Sequence, residues 1–333
     1  MKNNEKNQVF SNPFCPLSPN CGNFNVKKFG KKRGKQRFRC NSCSKTWQER
    51  RGKRINYQTY YSGYLIKRRT LSEIAENLNI STKTLSRKFD ALKLCQEKNK
   101  NHHHENPSVK HDSLINLVLD ATYFGREYGF FCFSDGKNII YFKEIRTEGV
   151  KAFRECLFHL ENNLGYRFSS FVLDGKRGFI NNIKKLYPHR PIQMCHFHQK
   201  AIIRRYITDN PQTKCGQELK ELMRDLSSKK DPQIFIDRFF ELKEKYQFFL
   251  RQRSEKNNDQ FRYQSLRSAF RSINYHLPYL FTYKEHPELK IPNTTNDLEG
   301  KFAHLKEKIK IHRGMTEKRK KKAIEFLLNY YEK

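Results

Sequence analysis

The stretch LINLVLDATYFGREYGFFCFSDGKNIIYFKEI, residues 114–145, decides the fold. It opens with an apolar run, residues 114–124, that carries one acid, Asp120. The following residues, 128–145, contain two further apolar runs joined at Asp135-Gly136, a dipeptide typical of a β-hairpin turn. The pattern therefore predicts three consecutive strands, of which the second and third form a hairpin.

Helices and strands alternate after this stretch. Residues 149–164 have apolar side chains at helical spacing, and a strand is predicted at 168–175, where Asp174 follows the apolar run. A helix at 176–187, a strand at 191–198 and a helix from 198 to 207 complete the series. This order is that of a ribonuclease H-like mixed α/β sheet, in which the first and fourth strands lie side by side. Asp120 and Asp174 are therefore expected to be neighbours at one edge of the sheet.

The next part of the chain reads as helical. Residues 209–290 contain no convincing strand pattern and are predicted to be an all-helical insertion in a catalytic domain that spans 113–333. The segment NTTNDLEGKFAHLKEKIKIHRGM, residues 293–315, then places a single glutamate, Glu299, ahead of several cations, among them Lys306 and Arg313. Such a helix either binds DNA with Glu299 as a solvated neighbour, or carries one metal-binding carboxylate into a nucleic-acid site.

Three acids can form a site for two divalent ions. Asp120 and Asp174 alone would leave the coordination shell of a divalent ion incomplete. Glu299, as a third carboxylate, would complete a site for two ions. Mg²⁺, or Mn²⁺ in its place, suits such a site because it prefers oxygen ligands. The cations on the Glu299 helix would then hold a DNA backbone beside the metals.

The charge of the chain indicates a polyanionic partner. Its 333 residues contain 67 Lys and Arg against 34 Asp and Glu, a formal net charge of +33. A basic surface kept only for solubility is the alternative, but the basic residues are spread over every segment with aromatic residues among them. No apolar run approaches the ~18 residues needed to span a bilayer. The first residues lack the apolar core of a signal peptide, and nine mostly scattered cysteines fit a reducing cytoplasm.

Four cysteines near the start have the arrangement of a zinc ribbon. Cys40 and Cys43 form a C-x2-C knuckle, and Cys15 and Cys21 form a looser pair with five residues between them. One Zn²⁺ held by four thiolates would stabilise residues 1–54, which have little apolar filling. The alternative is four unrelated buried cysteines.

Residues 55–95 are predicted to be a helix-turn-helix DNA-binding domain, followed by a polar linker at 96–112. In TLSEIAENLNISTKTLSRKFDALK, residues 70–93, Ser81 or Thr82 would cap the second helix after a turn near Asn79. An ordinary helical hairpin would also match this pattern. The second helix would present side chains suited to phosphates and base edges, namely Thr82, Lys83, Thr84, Ser86, Arg87 and Lys88.

The chain resembles bacterial insertion-sequence transposases of the Mutator-like DDE superfamily. The resemblance covers about residues 113–313 and rests on LDATYFG around Asp120, LDGKRG around Asp174, CHFHQKAIIRR at 195–205 and TTNDLEGKFAHLK around Glu299. It implies that Asp120, Asp174 and Glu299 are catalytic and that Cys195 and His198 match a C-x2-H motif of the family. That motif would position DNA or support the fold, and simple burial in a strand is an equal alternative. The N-terminal zinc ribbon and helix-turn-helix depart from the commonest layout and resemble those of a variant zinc-binding type.

The resemblance implies a metal-dependent transposase that binds the terminal inverted repeats of its element, cleaves double-stranded DNA and transfers the strands. Pairing of two ends would require a homodimer or a larger synaptic complex. A catalytically silent, domesticated copy acting as a sequence-specific DNA-binding regulator is the alternative from another class. A structure-specific nuclease with the same fold is a third interpretation.

Overall fold

The computed structural model describes residues 18–48, 55–92, 114–126, 128–228, 231–255 and 260–330. By its internal contacts the chain divides into two compact units, Met1–Tyr57 and Gln58–Lys333. Cys15 and the predicted linker at 96–112 lie outside the described residues.

The first unit contains a small antiparallel sheet in the order β1-β2-β3, formed by Val26–Lys32, Lys35–Cys40 and Thr46–Gln48. Arg33 and Gly34 join β1 to β2, and both have positive φ angles, as a tight hairpin turn requires. In the part of this unit that is described, only Ser18, Phe38 and Cys40 are buried. So small a core leaves the sheet in need of another source of stability.

Three helices open the second unit, α1 (Tyr57–Ile66, whose first residue is the last of the first unit), α2 (Leu71–Asn77) and α3 (Thr82–Asp90). The predicted cap of α3 is confirmed, because the Ser81 hydroxyl accepts a hydrogen bond from the Thr84 amide at 3.1 Å. The predicted turn is also found, with Asn79 in a left-handed conformation, φ 51°. The side chains buried among these helices are Tyr61, Tyr64, Leu65, Ile74, Ala75, Leu85 and Phe89.

A five-stranded mixed sheet follows. Its strands are β4 (Leu114–Tyr123), β5 (Gly129–Ser134), β6 (Ile139–Ile145), β7 (Arg167–Leu173) and β8 (Ile192–Met194), in the order β6-β5-β4-β7-β8. The β4, β5 and β6 strands are antiparallel neighbours, whereas β7 and β8 run parallel to β4. The predicted hairpin between β5 and β6 is confirmed, since Asp135 accepts hydrogen bonds from the amides of Lys137 and Asn138 in its turn.

Three helices connect and follow these strands, α4 (Val150–Asn162), α5 (Arg177–Leu186) and α6 (His196–Ile207). The strand predicted at 191–198 is shorter than expected, because Cys195 is already the residue that precedes the first turn of α6. Alternate residues of β4 face opposite sides of the sheet. Leu117 and Leu119 join the core formed with α4 and α5, so Asp120 points to the opposite face.

The region after α6 is helical, with α7 (Lys214–Asp225), α8 (Pro232–Lys245), α9 (Gln247–Arg251), α10 (Gln264–Leu280), α11 (Thr282–Glu285) and a 3-10 turn at Pro287–Leu289. These helices share a core with α6, and α10 returns to contact both α6 and β8. An isolated β-bridge between Arg253 and Phe261 is the one strand-like pairing described within 209–290.

Two helices end the chain, α12 (Asn296–Ile311) and α13 (Glu317–Tyr330). The first contacts β4 and the second contacts β6. Both also reach the three N-terminal helices of this unit: Lys308 donates to the carbonyl of Ile66 at 3.1 Å, and Arg319 forms a two-pronged ion pair with Asp90. No helix in the described part of the chain is long and apolar enough to cross a membrane.

Candidate functional site

The sheet places two acids at equivalent positions on neighbouring strands. In the parallel pair of β4 and β7, Val118 is opposite Val172, so two residues further along Asp120 and Asp174 emerge at the same edge. Each carboxylate is anchored locally, Asp120 by the Ala121 amide at 2.8 Å and Asp174 by the Lys176 amide at 3.1 Å. The sheet register thus supplies the juxtaposition that the order of elements had predicted.

Glu299 reaches the same place from the first turn of α12. The imidazole of His198 lies between Glu299 and Asp120, with Nδ1 3.7 Å from Oε1 of Glu299 and Nε2 3.9 Å from Oδ1 of Asp120. Residues from a strand, the start of α6 and the start of α12 therefore converge on one point. All three side chains are mostly buried, with exposures of 10% for Asp120, 25% for His198 and 23% for Glu299.

Burial and mutual charge dominate the electrostatics of this point. Burial disfavours the charged carboxylate and raises the pKa of Asp120 to about 7, and the charges of Glu299 and Asp174 add to the rise against the opposing charge of His198. Burial also opposes protonation of His198. The hydrogen bond with Cys195 and the negative charges of Asp120 and Glu299 outweigh this effect and raise the pKa of His198 to about 9.

Within the described residues, the cationic group that faces Asp120 and Glu299 is the imidazole of His198. Among the residues that the structure describes, no lysine or arginine forms an ion pair with Asp120, Asp174 or Glu299, although the chain has a net charge of +33. A buried group of carboxylates that lacks such a partner is stabilised by a bound cation. Oxygen donors of this kind suit Mg²⁺ or Mn²⁺.

The turn after β7 leaves no room for a side chain at Gly175, the residue that follows Asp174. Gly175 has φ +80°, and a Cβ there would lie 2.2 Å from Sδ of Met194 and 2.8 Å from Nε2 of His276. The same His276 nitrogen lies 2.9 Å from the carbonyl oxygen of Gly175. The buried His276 of α10 thus contacts the backbone of the residue that follows Asp174.

Thr295 is the site residue that the sequence analysis did not identify. Its hydroxyl donates to Oε1 of Glu299 at 3.1 Å and lies 3.4 Å from Sγ of Cys195 and 3.5 Å from Nδ1 of His198. A threonine just before a helix usually serves as a cap, so the sequence offered only a structural signal. The C-x2-H pair itself lies in this site, with Cys195 fully buried and His198 in contact with both acids.

In the first unit, three of the four predicted zinc ligands come together. Cys21, Cys40 and Cys43 lie within 4.8 Å of one another, and Sγ of Cys21 is 3.6 Å from Sγ of Cys40. Zn–S bonds of about 2.3 Å in a tetrahedron place sulfur atoms about 3.8 Å apart, so these cysteines can hold a metal ion and are compatible with zinc. Hydrogen bonds from Ser18 and from the Lys45 backbone lower the pKa of Cys43 to about 6, which favours the thiolate that a metal requires. Cys15, the fourth predicted ligand, lies outside the described residues.

The predicted DNA-contacting side chains occupy two places in the second unit. On α3, Thr82, Lys83, Thr84, Arg87 and Lys88 are exposed and Ser86 is half-buried. On α12, Lys306 is exposed two turns after Glu299, and Arg313 is exposed just beyond the end of the helix.

Comparison of the sequence with protein-family models and with curated proteins finds no match.

Proposed function

We propose that this protein is a DDE-type DNA transposase, similar to Mutator-like insertion-sequence enzymes, with Asp120, Asp174 and Glu299 as its catalytic acids. The observation that carries the proposal is the convergence of Asp120 and Glu299 on His198, at the edge where Asp174 follows the neighbouring strand. Residues far apart in sequence are thereby gathered into one carboxylate site without a lysine or arginine partner among the described residues.

The strand order supports a ribonuclease H-like catalytic fold. An antiparallel trio is followed by two parallel strands with intervening helices, and the first acid-bearing strand is central in the sheet. A helical insertion between the second acid and the third agrees with the same assignment. We infer that α2 and α3 form a helix-turn-helix, which their capping and the exposed basic side chains of α3 support.

The residues would act as follows. Asp120, Asp174 and Glu299 would hold divalent cations, which when bound activate the attacking oxygen and stabilise the leaving oxygen of an in-line displacement at phosphorus. Lys306 and Arg313 are exposed along and beyond the helix that carries Glu299, where they can contact DNA phosphates. The exposed side chains of α3 would contact the terminal repeats, and the metal-binding cysteines of the first unit would stabilise a second DNA-contacting module.

The experiment is cleavage of DNA by the full chain. DNA duplexes that carry the terminal inverted repeats on either side of the gene are incubated with the protein and Mg²⁺ or Mn²⁺. Strand breaks and joined products are then resolved on denaturing gels. We expect breaks that leave 3′-OH ends, and products joined to target DNA. Asp174→Asn should abolish both, whereas Asp135→Asn, in the β5–β6 turn, should retain them.

Two outcomes would contradict the proposal. Cleavage that persists in Asp174→Asn would remove the site assignment. Sequence-specific binding with no cleavage by the wild-type chain in either metal would instead favour a DNA-binding regulator.

A further inference from the structure

A second set of metal donors overlaps the acidic site. The thiol of Cys195, an imidazole nitrogen of His198 and a carboxylate oxygen of Glu299 lie within 4.8 Å of one another. We propose that these three side chains form a binding site for a thiophilic divalent cation such as Zn²⁺, separate from the cysteine cluster of the first unit. The proposal itself stands on this geometry and is independent of the function proposed above.

The spacing of the donors suits such an ion. Metal–ligand bonds of about 2.0 Å to nitrogen or oxygen and about 2.3 Å to sulfur place tetrahedral donors about 3.3 to 3.5 Å apart. Nδ1 of His198 and Oε1 of Glu299 are 3.7 Å apart, so only a few tenths of an ångström separate them from ligation. Cys195 immediately precedes α6 and His198 lies in its first turn, which brings both side chains to one end of the helix.

The three donors share one hydrogen-bonding partner, Thr295. The Thr295 hydroxyl is within 3.1 to 3.5 Å of Glu299 Oε1, Cys195 Sγ and His198 Nδ1, and the Thr295 amide donates to the same sulfur at 3.3 Å. An ion would replace the hydroxyl as the shared partner of donors that already converge. Little reorganisation is then needed to bind it.

The outer contacts of His198 fit a metal ligand. With Nδ1 facing Glu299 and Thr295, the other nitrogen faces Oδ1 of Asp120 at 3.9 Å. A carboxylate near the far nitrogen of a ligating histidine orients the ring and strengthens it as a donor. Asp120 is in position to do so.

The donor chemistry selects the class of ion. One thiolate, one imidazole and one carboxylate favour Zn²⁺, Co²⁺ or Cd²⁺ over Mg²⁺, which takes oxygen ligands. Complete burial of Cys195 also argues against a nucleophilic thiol, because the sulfur is not accessible to an incoming substrate. His198 and Glu299 are about one quarter exposed, so an ion can reach these donors from solvent.

Glu299 is common to this site and to the proposed catalytic acids. If the proposed function holds, an ion bound by Cys195, His198 and Glu299 withdraws one carboxylate from the magnesium site. Micromolar Zn²⁺ should then inhibit Mg²⁺-dependent cleavage, and Cys195→Ala should be resistant to that inhibition.

The test is a Co²⁺ titration of the metal-free full-length chain, read in the near-ultraviolet band that only thiolate–cobalt bonds produce. We expect two thiolate-bound ions per wild-type chain. Cys195→Ala and Cys40→Ser should each lose one, and the combined variant should lose both. Cys215→Ala is the matched control, since Cys215 is a buried cysteine in the first turn of α7 and belongs to neither cluster.

A second thiolate-bound ion that survives Cys195→Ala would overturn the proposal, as would a wild-type chain whose thiolate-bound ions are all lost in Cys40→Ser. Circular dichroism checks that each variant is folded. If Cys195→Ala does not fold, Glu299→Gln decides, because it keeps the shape of the side chain and should weaken the second ion at least tenfold. The titration contains no DNA, so it can succeed or fail whatever the cleavage assay shows.

Discussion

The Nε2 atom of His198 lies 3.9 Å from Oδ1 of Asp120, so the first turn of α6 directly contacts the acid in the middle of the sheet. On the other side of the same ring, Nδ1 lies 3.7 Å from Glu299. The C-x2-H motif therefore forms one site with Asp120 and Glu299. The site can therefore be tested by mutating residues that position the acids, as well as by mutating the acids themselves.

Gly175→Ala should damage the site through the backbone. The residue has φ +80°, which costs a non-glycine residue about 1 to 2 kcal/mol, and the added methyl would collide with Met194 and His276. A further overpacking cost of about 1 to 3 kcal/mol is typical of such collisions. We expect a clear fall in the urea midpoint and loss of the metal-dependent cleavage proposed above. Gly300→Ala is the control: it lies inside α12 with open space at its Cβ, and should be neutral or stabilising by up to about 1 kcal/mol.

Packing against α1 should stabilise α3 far more than the ion pair between α3 and α13 does. Phe89 is 5% exposed and packs edge-on against Tyr61 and at a tilt against Tyr64, with ring centroids 5.0 and 5.8 Å apart. Phe89→Ala should cost about 3 to 5 kcal/mol in the free energy of unfolding. Asp90 and Arg319 form an ion pair whose side chains are over 40% exposed. Asp90→Asn should therefore cost under about 1 kcal/mol, and an equal loss in both variants would contradict this ranking.

His312 should make stability sensitive to acid. Burial lowers the pKa of His312, with the charge of Lys308 acting in the same direction and a hydrogen bond with the Tyr64 backbone opposing it. The unfolded chain then binds a proton below about pH 6.5, before the folded chain does. Stability from this group is present above that pH and is lost as the pH falls toward the lowered folded pKa. Urea midpoints between pH 8 and 5 should fall more steeply for the wild-type chain than for His312→Gln, and parallel curves would exclude the effect.

Removal of metal should unfold the first unit selectively. The three described cysteines enclose almost no apolar core, so the small sheet should depend on the ion for its stability. Cys43→Ser should abolish this site and expose the backbone amides of residues 26–48 to hydrogen exchange. The helices of the second unit have their own cores and should keep their circular dichroism signal. Protected amides in this segment of Cys43→Ser would show that the sheet stands without metal.

Arg87 should contribute to DNA binding through phosphate charge or base contact. It is exposed on α3. If it neutralises one phosphate, Arg87→Ala should lower the slope of log K against log salt by about 1 for all duplexes alike. If it contacts a base instead, Arg87→Ala should lower the affinity only for duplexes that carry the terminal-repeat sequence. Arg154→Ala, an exposed arginine on α4, is the control and should leave both measurements nearly unchanged.

Local rules in the sequence determined much of the secondary structure. The hairpin at Asp135-Gly136, the Ser81 cap and the turn at Asn79 were predicted from residues adjacent in the chain, because turn and cap preferences are set by local sterics and hydrogen bonds. The short strand β3 and the early start of α6 at His196 were not predicted, since both depend on neighbours that the local pattern does not contain.

The sequence by itself determined which acids to consider, because Asp120 and Asp174 each follow an apolar run and Glu299 stands before a run of cations. Only the tertiary structure decided how the site is assembled. The pairing of β4 with β7, the contact of His198 with two acids and the central hydroxyl of Thr295 join residues from separate elements. Such contacts depend on sheet register and helix placement, which arise from packing of the whole core and leave no pattern at adjacent positions of the chain.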